Sequence, residues 1–268
     1  MSSQLPIGVF DSGLGGLTVI KEIAKLLPSE DMIYVGDTAR VPYGNKSPET
    51  IRRYALQIAF FLMQKRVKLI VVACNTASSL ALKSLKNLPI PVLGVIEPGA
   101  RAAALASAHL KIGVIGTSAT VGSHAYLKNI RHYSPKAHVW EQACPLFVPL
   151  VEEGWLTDSI TENIGKTYLK EILKHKIDTL VLGCTHYPLL KPMLQKISGP
   201  RIKLIDSAEE TAKEVRRKLE KMRILNSNSK KGKIEYFVSD NPKGFSKLAK
   251  QFLNTDTIST RRFSLENL

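Results

Sequence analysis

Two stretches of this chain say nearly the same thing, and that repetition limits the fold more than any other feature. Leu69-Ile-Val-Val-Ala-Cys74-Asn-Thr is an apolar run that ends in a cysteine and small polar residues. Thr179-Leu-Val-Leu-Gly-Cys184-Thr-His186 repeats it. An apolar run of this length between polar turns fits a strand buried on both faces of a parallel sheet. In such sheets ligands sit beyond the carboxyl ends of the strands, where both cysteines fall. The helix that follows Cys74 would turn its N-terminus toward the thiol. Free N–H groups and partial positive charge there suit a carboxylate and favour a thiolate.

Each half carries a second matching strand. Ile7-Gly-Val-Phe-Asp11-Ser12 ends in a polar pair, as does Ile112-Gly-Val-Ile-Gly-Thr117-Ser118. Asp11 precedes Cys74 by 63 positions and Thr117 precedes Cys184 by 67, so the halves have similar lengths. The expected fold is α/β: two similar doubly wound parallel-sheet domains related by a pseudo-two-fold, with the active site in the cleft between them.

The punctuation along the chain fits this plan. Strands are predicted at 6–10, 31–35, 69–73, 91–96, 111–115, 137–142, 179–183, 201–205 and 233–239. Helices are predicted at 17–27, 48–65, 99–108, 120–131, 147–153, 157–175 and 192–197, with others starting after Ser207 and Asn241. Ser47-Pro48 reads as a cap with proline in the first turn, and Ser207-Ala-Glu-Glu210 as a capping box. The last dozen residues read as a weak strand. The tail is assigned to the first half, giving residues 1–96 plus 212–268 as the Cys74 domain and 97–211 as the Cys184 domain.

Bulk properties remove several function classes. No stretch is long and uncharged enough to span a membrane; the most apolar region, 54–74, is broken by Gln64-Lys65-Arg66 and Lys68. A basic segment followed by an apolar core is missing at the N-terminus, so no secretion signal is expected. Cys74, Cys144 and Cys184 are odd in number, widely spaced and outside any C-x-x-C pattern. They read as reduced cytoplasmic thiols, with neither a disulfide framework nor a metal site. The formal charge of +15 would attract nucleic acid non-specifically. The surplus falls largely after residue 200, in Arg216-Arg217-Lys218, Lys230-Lys231 and Arg261-Arg262, and reads as a solvated face and a basic loop.

Two thiols in equivalent strand-end positions suit inversion of a carbon centre. One group removes a proton from one face, the other returns a proton to the opposite face, and the roles exchange with direction. Cysteine, with an unperturbed pKa near 8.5, is suited to both roles. Cys144 has no counterpart in the repeat and reads as a core residue. The Gly13, Gly15, Gly16 turn lacks dinucleotide spacing and reads as a tight turn onto a helix. His109, His124, His132, His138 and His175 join no constellation.

Taken together, VFDSGLGG, VGDTARVPYG, VACNTAS, GVIEPG, CPLFVPLVEEG and LGCTHYPLL resemble the cofactor-independent glutamate racemases of bacterial wall synthesis, over residues 7 to about 211. The resemblance implies interconversion of L- and D-glutamate without pyridoxal phosphate, metal or nucleotide, supply of D-glutamate to peptidoglycan, and a cytoplasmic homodimer. The extension that some members use to sense a wall precursor is not expected. By the same resemblance Cys184 takes the proton from L-glutamate and Cys74 from D-glutamate. Asp11 would lie beside Cys74, His186 beside Cys184, and Glu153 behind His186. Ser12, Tyr43, Gly44, Asn75, Thr76, Thr117, Ser118, Thr185 and His186, with Asp11, would hold the substrate. Three rivals stand beside this reading: a relative acting on aspartate or another amino acid, a basic nucleic-acid-binding protein, and a hydrolase using a single cysteine nucleophile.

Overall fold

The computed structural model describes residues 2–253, 255 and 258–264. In chain order the first half holds β1 (Ile7–Asp11), α1 (Leu17–Leu26), β2 (Met32–Gly36), α2 (Pro48–Gln64), β3 (Leu69–Val72), α3 (Asn75–Leu80), α4 (Leu82–Leu85) and β4 (Val92–Gly94). The second half holds α5 (Ile96–Ala106), β5 (Lys111–Gly116), α6 (Ser118–Gly122), α7 (Ala125–Tyr133), β6 (His138–Ala143), α8 (Phe147–Glu152), α9 (Ser159–Lys174), β7 (Thr179–Gly183), α10 (Lys191–Ser198) and β8 (Lys203–Asp206). The chain then runs through α11 (Ser207–Lys221), β9 (Ile234–Val238), α12 (Pro242–Leu253) and β10 (Thr260–Arg262). Short 3₁₀ turns cover Tyr43–Asn45 and Tyr187–Leu190.

The strands form two all-parallel sheets, ordered β10-β9-β2-β1-β3-β4 and β6-β5-β7-β8. The β2-β1-β3-β4 core of the first sheet has the same order as the whole of the second, so the repeat in sequence is a repeat in topology. Register fixes the correspondence. Ile7 lies opposite Leu69 in one half, and Ile112 opposite Thr179 in the other. Each cysteine stands five residues beyond that partner, so Cys74 and Cys184 are structural equivalents. The same alignment matches Asp11 with Gly116 and Ser12 with Thr117, one position away from the pairing suggested by the polar doublets.

A glycine at the same place in β1 and β5 explains how the helices sit on the sheets. A methyl group on Gly8 would come within 3.1–3.2 Å of Leu62 and Val67, and one on Gly113 within 2.7–2.9 Å of Ile177 and Ile172. In each half the helix leading into the cysteine strand therefore packs directly over backbone. Each sheet has a core on both faces. Ile7, Val9 and Leu69 face α1 and α11; Phe10, Ile70 and Val72 face α2. In the second sheet, Leu180 and Leu182 join α8–α10, while Ile112 and Val181 join α5 and α7.

Several local expectations change. The helix expected over 120–131 is two helices, α6 and α7, separated at His124, whose φ of 54° is left-handed. The helix expected from residue 99 begins at Ile96, because Pro98 falls in its first turn, where a missing N–H costs nothing. The cap of α11 is Asp206, whose side chain accepts from Ala208 N at 2.8 Å; Ser207 Oγ instead donates to Leu182 O at 3.3 Å. Ser47 caps α2 as expected, accepting from Thr50 N. The weak strand expected over the last dozen residues is β10 as far as Arg262; positions 257 and 265–268 lie outside the described residues. No helix among the described residues is long and apolar enough to cross a membrane.

Candidate active site

The carboxyl ends of the two sheets meet. Thr76 Oγ1, just beyond β3, lies 2.9 Å from Thr117 Oγ1, just beyond β5. Thr120 Oγ1 joins them at 3.4 and 3.0 Å, making a three-hydroxyl bridge between the halves. Thr185 Oγ1 reaches Asp11 Oδ1 at 3.5 Å, and Thr18 Oγ1 donates to Thr185 O at 3.0 Å. Tyr126 OH donates to Asn75 Oδ1 at 2.7 Å. Asn75 Nδ2 is buried and has no hydrogen-bond acceptor, so two donor positions lie unused beside Cys74.

Gly15 marks the tightest approach of the halves. A Cβ there would lie 2.2 Å from Thr185 Oγ1 and 2.5 Å from His186 Nδ1. The glycine-rich turn therefore brings bare backbone against the second half, a packing role that needs no phosphate.

Both catalytic candidates are almost fully enclosed, with Cys74 5% and Cys184 6% exposed, so access alone does not distinguish them. Their surroundings differ. Cys74 is the N-cap of α3: its Sγ accepts from Ala77 N at 3.4 Å and lies 3.6 Å from Ser12 Oγ. Those contacts favour a thiolate, as the helix N-terminus led us to expect. Burial and the Asp11 carboxylate outweigh them, and the Cys74 thiol is pushed up to about 12. Burial also raises Asp11 above the usual carboxylate range, despite His186 nearby and the Gly13 N–H on Oδ2 at 2.9 Å.

Cys184 Sγ lies 3.8 Å from His186 Nδ1. The other ring nitrogen, Nε2, lies 3.0 Å from Glu152 Oε1. Burial pulls His186 down, but its bonds to Cys184 and Glu152 prevail and raise it to about 10. Around neutral pH one sulfur thus has a carboxyl group for a neighbour and the other an imidazolium.

Three expected positions need correction. The carboxylate behind His186 is Glu152; Glu153 is the exposed C-cap of α8. Phe147 and Val151 face the core, so Val148 and Glu152, one residue on and four apart, turn together toward the cleft. Tyr43 is buried and its hydroxyl donates to Asp37 Oδ2, leaving only its backbone for a substrate. Asp37 is also bound by Arg40 Nε at 2.7 Å and Ser239 Oγ at 2.9 Å. Ser118 is exposed and sits at the rim, not the floor.

The rim opens on a cavity of about 500 Å³ lined by Val41, Pro42, Gly44, Thr117, Val148 and Glu152, among others. Gly44 lies against Thr117, with a Cβ position 3.2 Å from its side chain. Cys144 is fully buried, its Sγ 3.7 Å from Gln142 O, in agreement with a core role. Sequence reasoning misses Glu152 and Thr120, and reads Gly15 as part of a tight turn without its contact to the other half. For Glu152 a signal existed, the helical phase of 147–152. Thr120 and Gly15 matter through contacts made only when the halves meet.

Residues 7–215 match the Asp/Glu/hydantoin racemase family. The glutamate racemase of Geobacter metallireducens is 53% identical over 261 residues, covering 97% of each chain. Among solved structures, glutamate racemase isoform RacE1 from Bacillus anthracis superposes with a TM-score of 0.95 at 40% identity, covering 98% of each chain. A glutamate racemase from Francisella tularensis in complex with D-glutamate matches with a TM-score of 0.92 at 39% identity, over 99% of this chain and 100% of that one.

Proposed function

This chain belongs to the Asp/Glu/hydantoin racemase family, and from that premise we propose that it interconverts L- and D-glutamate by two-thiol proton transfer. The observation that carries the reading is the equivalence of Cys74 and Cys184 at strand ends of two facing halves. They bracket the site with unlike neighbours, a carboxyl group and an imidazolium.

In the direction from L-glutamate, the Cys184 thiolate takes the α-proton and the electron pair of the broken C–H bond stays on the substrate. The Cys74 thiol then gives its proton to the opposite face, forming the new C–H bond and leaving a Cys74 thiolate. From D-glutamate the roles exchange. Asn75 Nδ2, the Thr76 and Thr117 hydroxyls and the Thr185 hydroxyl supply donors for the carboxylates, with Ser12 beside Cys74. Donors fixed in a dry cleft stabilise the charge that develops on the α-carboxylate. Glu152 fixes the orientation of His186, and His186 holds or returns the proton of Cys184. Asp11 does the same for Cys74.

The product D-glutamate fits a role in peptidoglycan supply. We take the working species as a cytoplasmic homodimer, to be checked by sedimentation. Residues 1–96 plus 212–268 and residues 97–211 are taken as the two folding units, with α11 spanning their junction.

Circular dichroism on L- and D-glutamate and on L- and D-aspartate tests the reading. Glutamate should racemise in both directions. Cys74→Ala and Cys184→Ala should each reduce the rate by at least about 10²-fold in both directions. Racemisation of aspartate alone would reassign the substrate, and survival of activity without either cysteine would end the mechanism.

A further inference from the structure

His186 has a wall that comes from far along the chain. Its Nε2 meets Glu152 and its Nδ1 meets Cys184. Gly15 closes the Nδ1–Cε1 edge. The Phe252 ring lies at right angles to the imidazole, with centroids 6.3 Å apart and an interplanar angle of 88°. That is edge-to-face aromatic packing.

Phe252 stands near the end of α12. Earlier in that helix, Phe245 and Ala249 are buried in the core around α1. Phe252 packs against the same core and also against the second-half core that contains Cys184, Tyr187 and Leu190. Among the described residues it is the one hydrophobic side chain shared between a core of the first sheet and a core of the second.

We propose that Phe252 is a positioning residue for His186. It acts through the imidazole and touches no reacting atom. The inference rests on the reading that Cys184 and His186 serve one face of glutamate. An apolar ring offers the imidazole no hydrogen bond, so the ring nitrogens keep Glu152 and Cys184 as their partners. It also keeps water from competing for those two bonds, which are stronger in a dry site. Truncation to alanine would leave a void the size of a phenyl ring, into which His186 can turn or water can enter. Phe252 rides on the first sheet's helices while His186 follows a strand of the second. Their contact therefore forms only when the halves are closed on each other.

The test must separate positioning from lost fold. The equilibrium constant between enantiomers is one, so any variant loses kcat/KM equally in both directions. Primary deuterium isotope effects on kcat/KM, measured with α-deuterated L- and D-glutamate, report which proton transfer limits each variant. Cys184→Ser and Cys74→Ser set the scale: each should raise the effect for its own enantiomer and lower it for the other. Phe252→Ala should lower kcat/KM by about ten- to a hundredfold and move the two isotope effects in the sense of Cys184→Ser. Phe252→Leu, which refills much of the space, should restore most of the rate and both isotope effects. Unchanged isotope effects in Phe252→Ala, with a rate loss matching the loss of folded protein, would overturn the inference. If the two serine variants fail to move the effects in opposite senses, the two-face reading itself fails, and the role of Phe252 falls with it.

Discussion

The glycine-rich turn offers a prediction whose size can be worked from distances. Gly15→Ala adds one carbon where three atoms of the other half already stand: Thr185 Oγ1 at 2.2 Å, His186 Nδ1 at 2.5 Å and His186 Cε1 at 2.7 Å. Ordinary contact begins near 3.4 Å, so at the closest point 1.2 Å must be found. Gly15 is not among the residues with left-handed φ, so alanine adopts its backbone without strain. The whole cost therefore falls on the approach of the halves. Either they part by about an ångström or the His186 ring swings off its line between Cys184 and Glu152. A displacement of about 1 Å in a catalytic constellation costs about a hundredfold in rate, or about 2.7 kcal/mol of transition-state stabilisation. Gly15→Ala should thus lose about two decades of kcat/KM while its melting temperature changes little.

Two neighbours in the same turn serve as controls. A Cβ on Gly13 would meet only Val41, at 3.4 Å and beyond, so Gly13→Ala should be close to neutral in rate and stability. A Cβ on Gly16 would lie 2.5 Å from Asp11 Cβ, 3.0 Å from Tyr34 OH and 3.1 Å from Ala73 Cβ, all inside the first half. Gly16→Ala should therefore lose about 1–3 kcal/mol of stability by overpacking. Racemisation followed by circular dichroism, with thermal melts of the same samples, checks all three. A Gly15→Ala protein as active as Gly13→Ala, or one whose rate loss merely tracks unfolding, would refute the closure argument.

His186 is raised to about 10, so its ion pair contributes fully below about 6.5 and is lost as pH rises through 10. Glu152→Gln should move the alkaline limb of the kcat/KM profile to lower pH; Glu153→Gln should leave it in place, and the opposite pattern would restore the residue first expected. Burial raises Asp206 to about 6, so its contribution to stability is greatest below about 3.8 and is lost as pH rises through 6. Asp206→Asn keeps an acceptor for Ala208 N and should gain about 2–3 kcal/mol at pH 7, a gain that vanishes by pH 4 in melts across the range. With Cys74 pushed up to about 12, roughly 10⁻⁴ of it is thiolate at pH 8. Iodoacetamide on the ligand-free enzyme, followed by peptide mass spectrometry, should label Cys184 before Cys74; equal labelling would deny the electrostatic asymmetry.

The parts legible in sequence were those set by short-range pattern. Strand-end cysteines, matching Ile-Gly strands and the Ser47-Pro48 cap are local, and the parallel order follows from alternation of strand and helix. What escaped was set by phase or by distance. Glu152 and Glu153 differ by about 100° around one helix, and the core positions Phe147 and Val151 decide between them. Tyr43 looks like a binding residue beside a proline and a glycine, but Asp37, placed just beyond the end of the preceding strand β2, captures its hydroxyl. Thr120 joins the hydroxyl bridge only because Thr76 arrives from the other sheet. Phe252 reaches His186 from 66 positions away, and no spacing rule connects them.

The proposed chemistry needs equality and inequality at once. Mirror-image substrates require two thiols with equal reach, and a duplicated strand order with matching register provides that. Each half-reaction starts from the opposite protonation state, and a symmetric pair of thiols would have no defined one. The charges supply it. Beside Cys74, burial pushes both the thiol and Asp11 upward, so the two compete to keep a proton. Beside Cys184, the raised imidazole of His186 can hold the proton that the sulfur gives up. After one turnover from L-glutamate the protons stand the other way round, with a thiolate beside Asp11. That state is electrostatically uphill while Asp11 is ionised, and it is relieved when a proton returns to the Asp11–Cys74 pair. On this reasoning the repeated fold sets where the proton can go, and the unlike partners of the two sulfurs set where it rests.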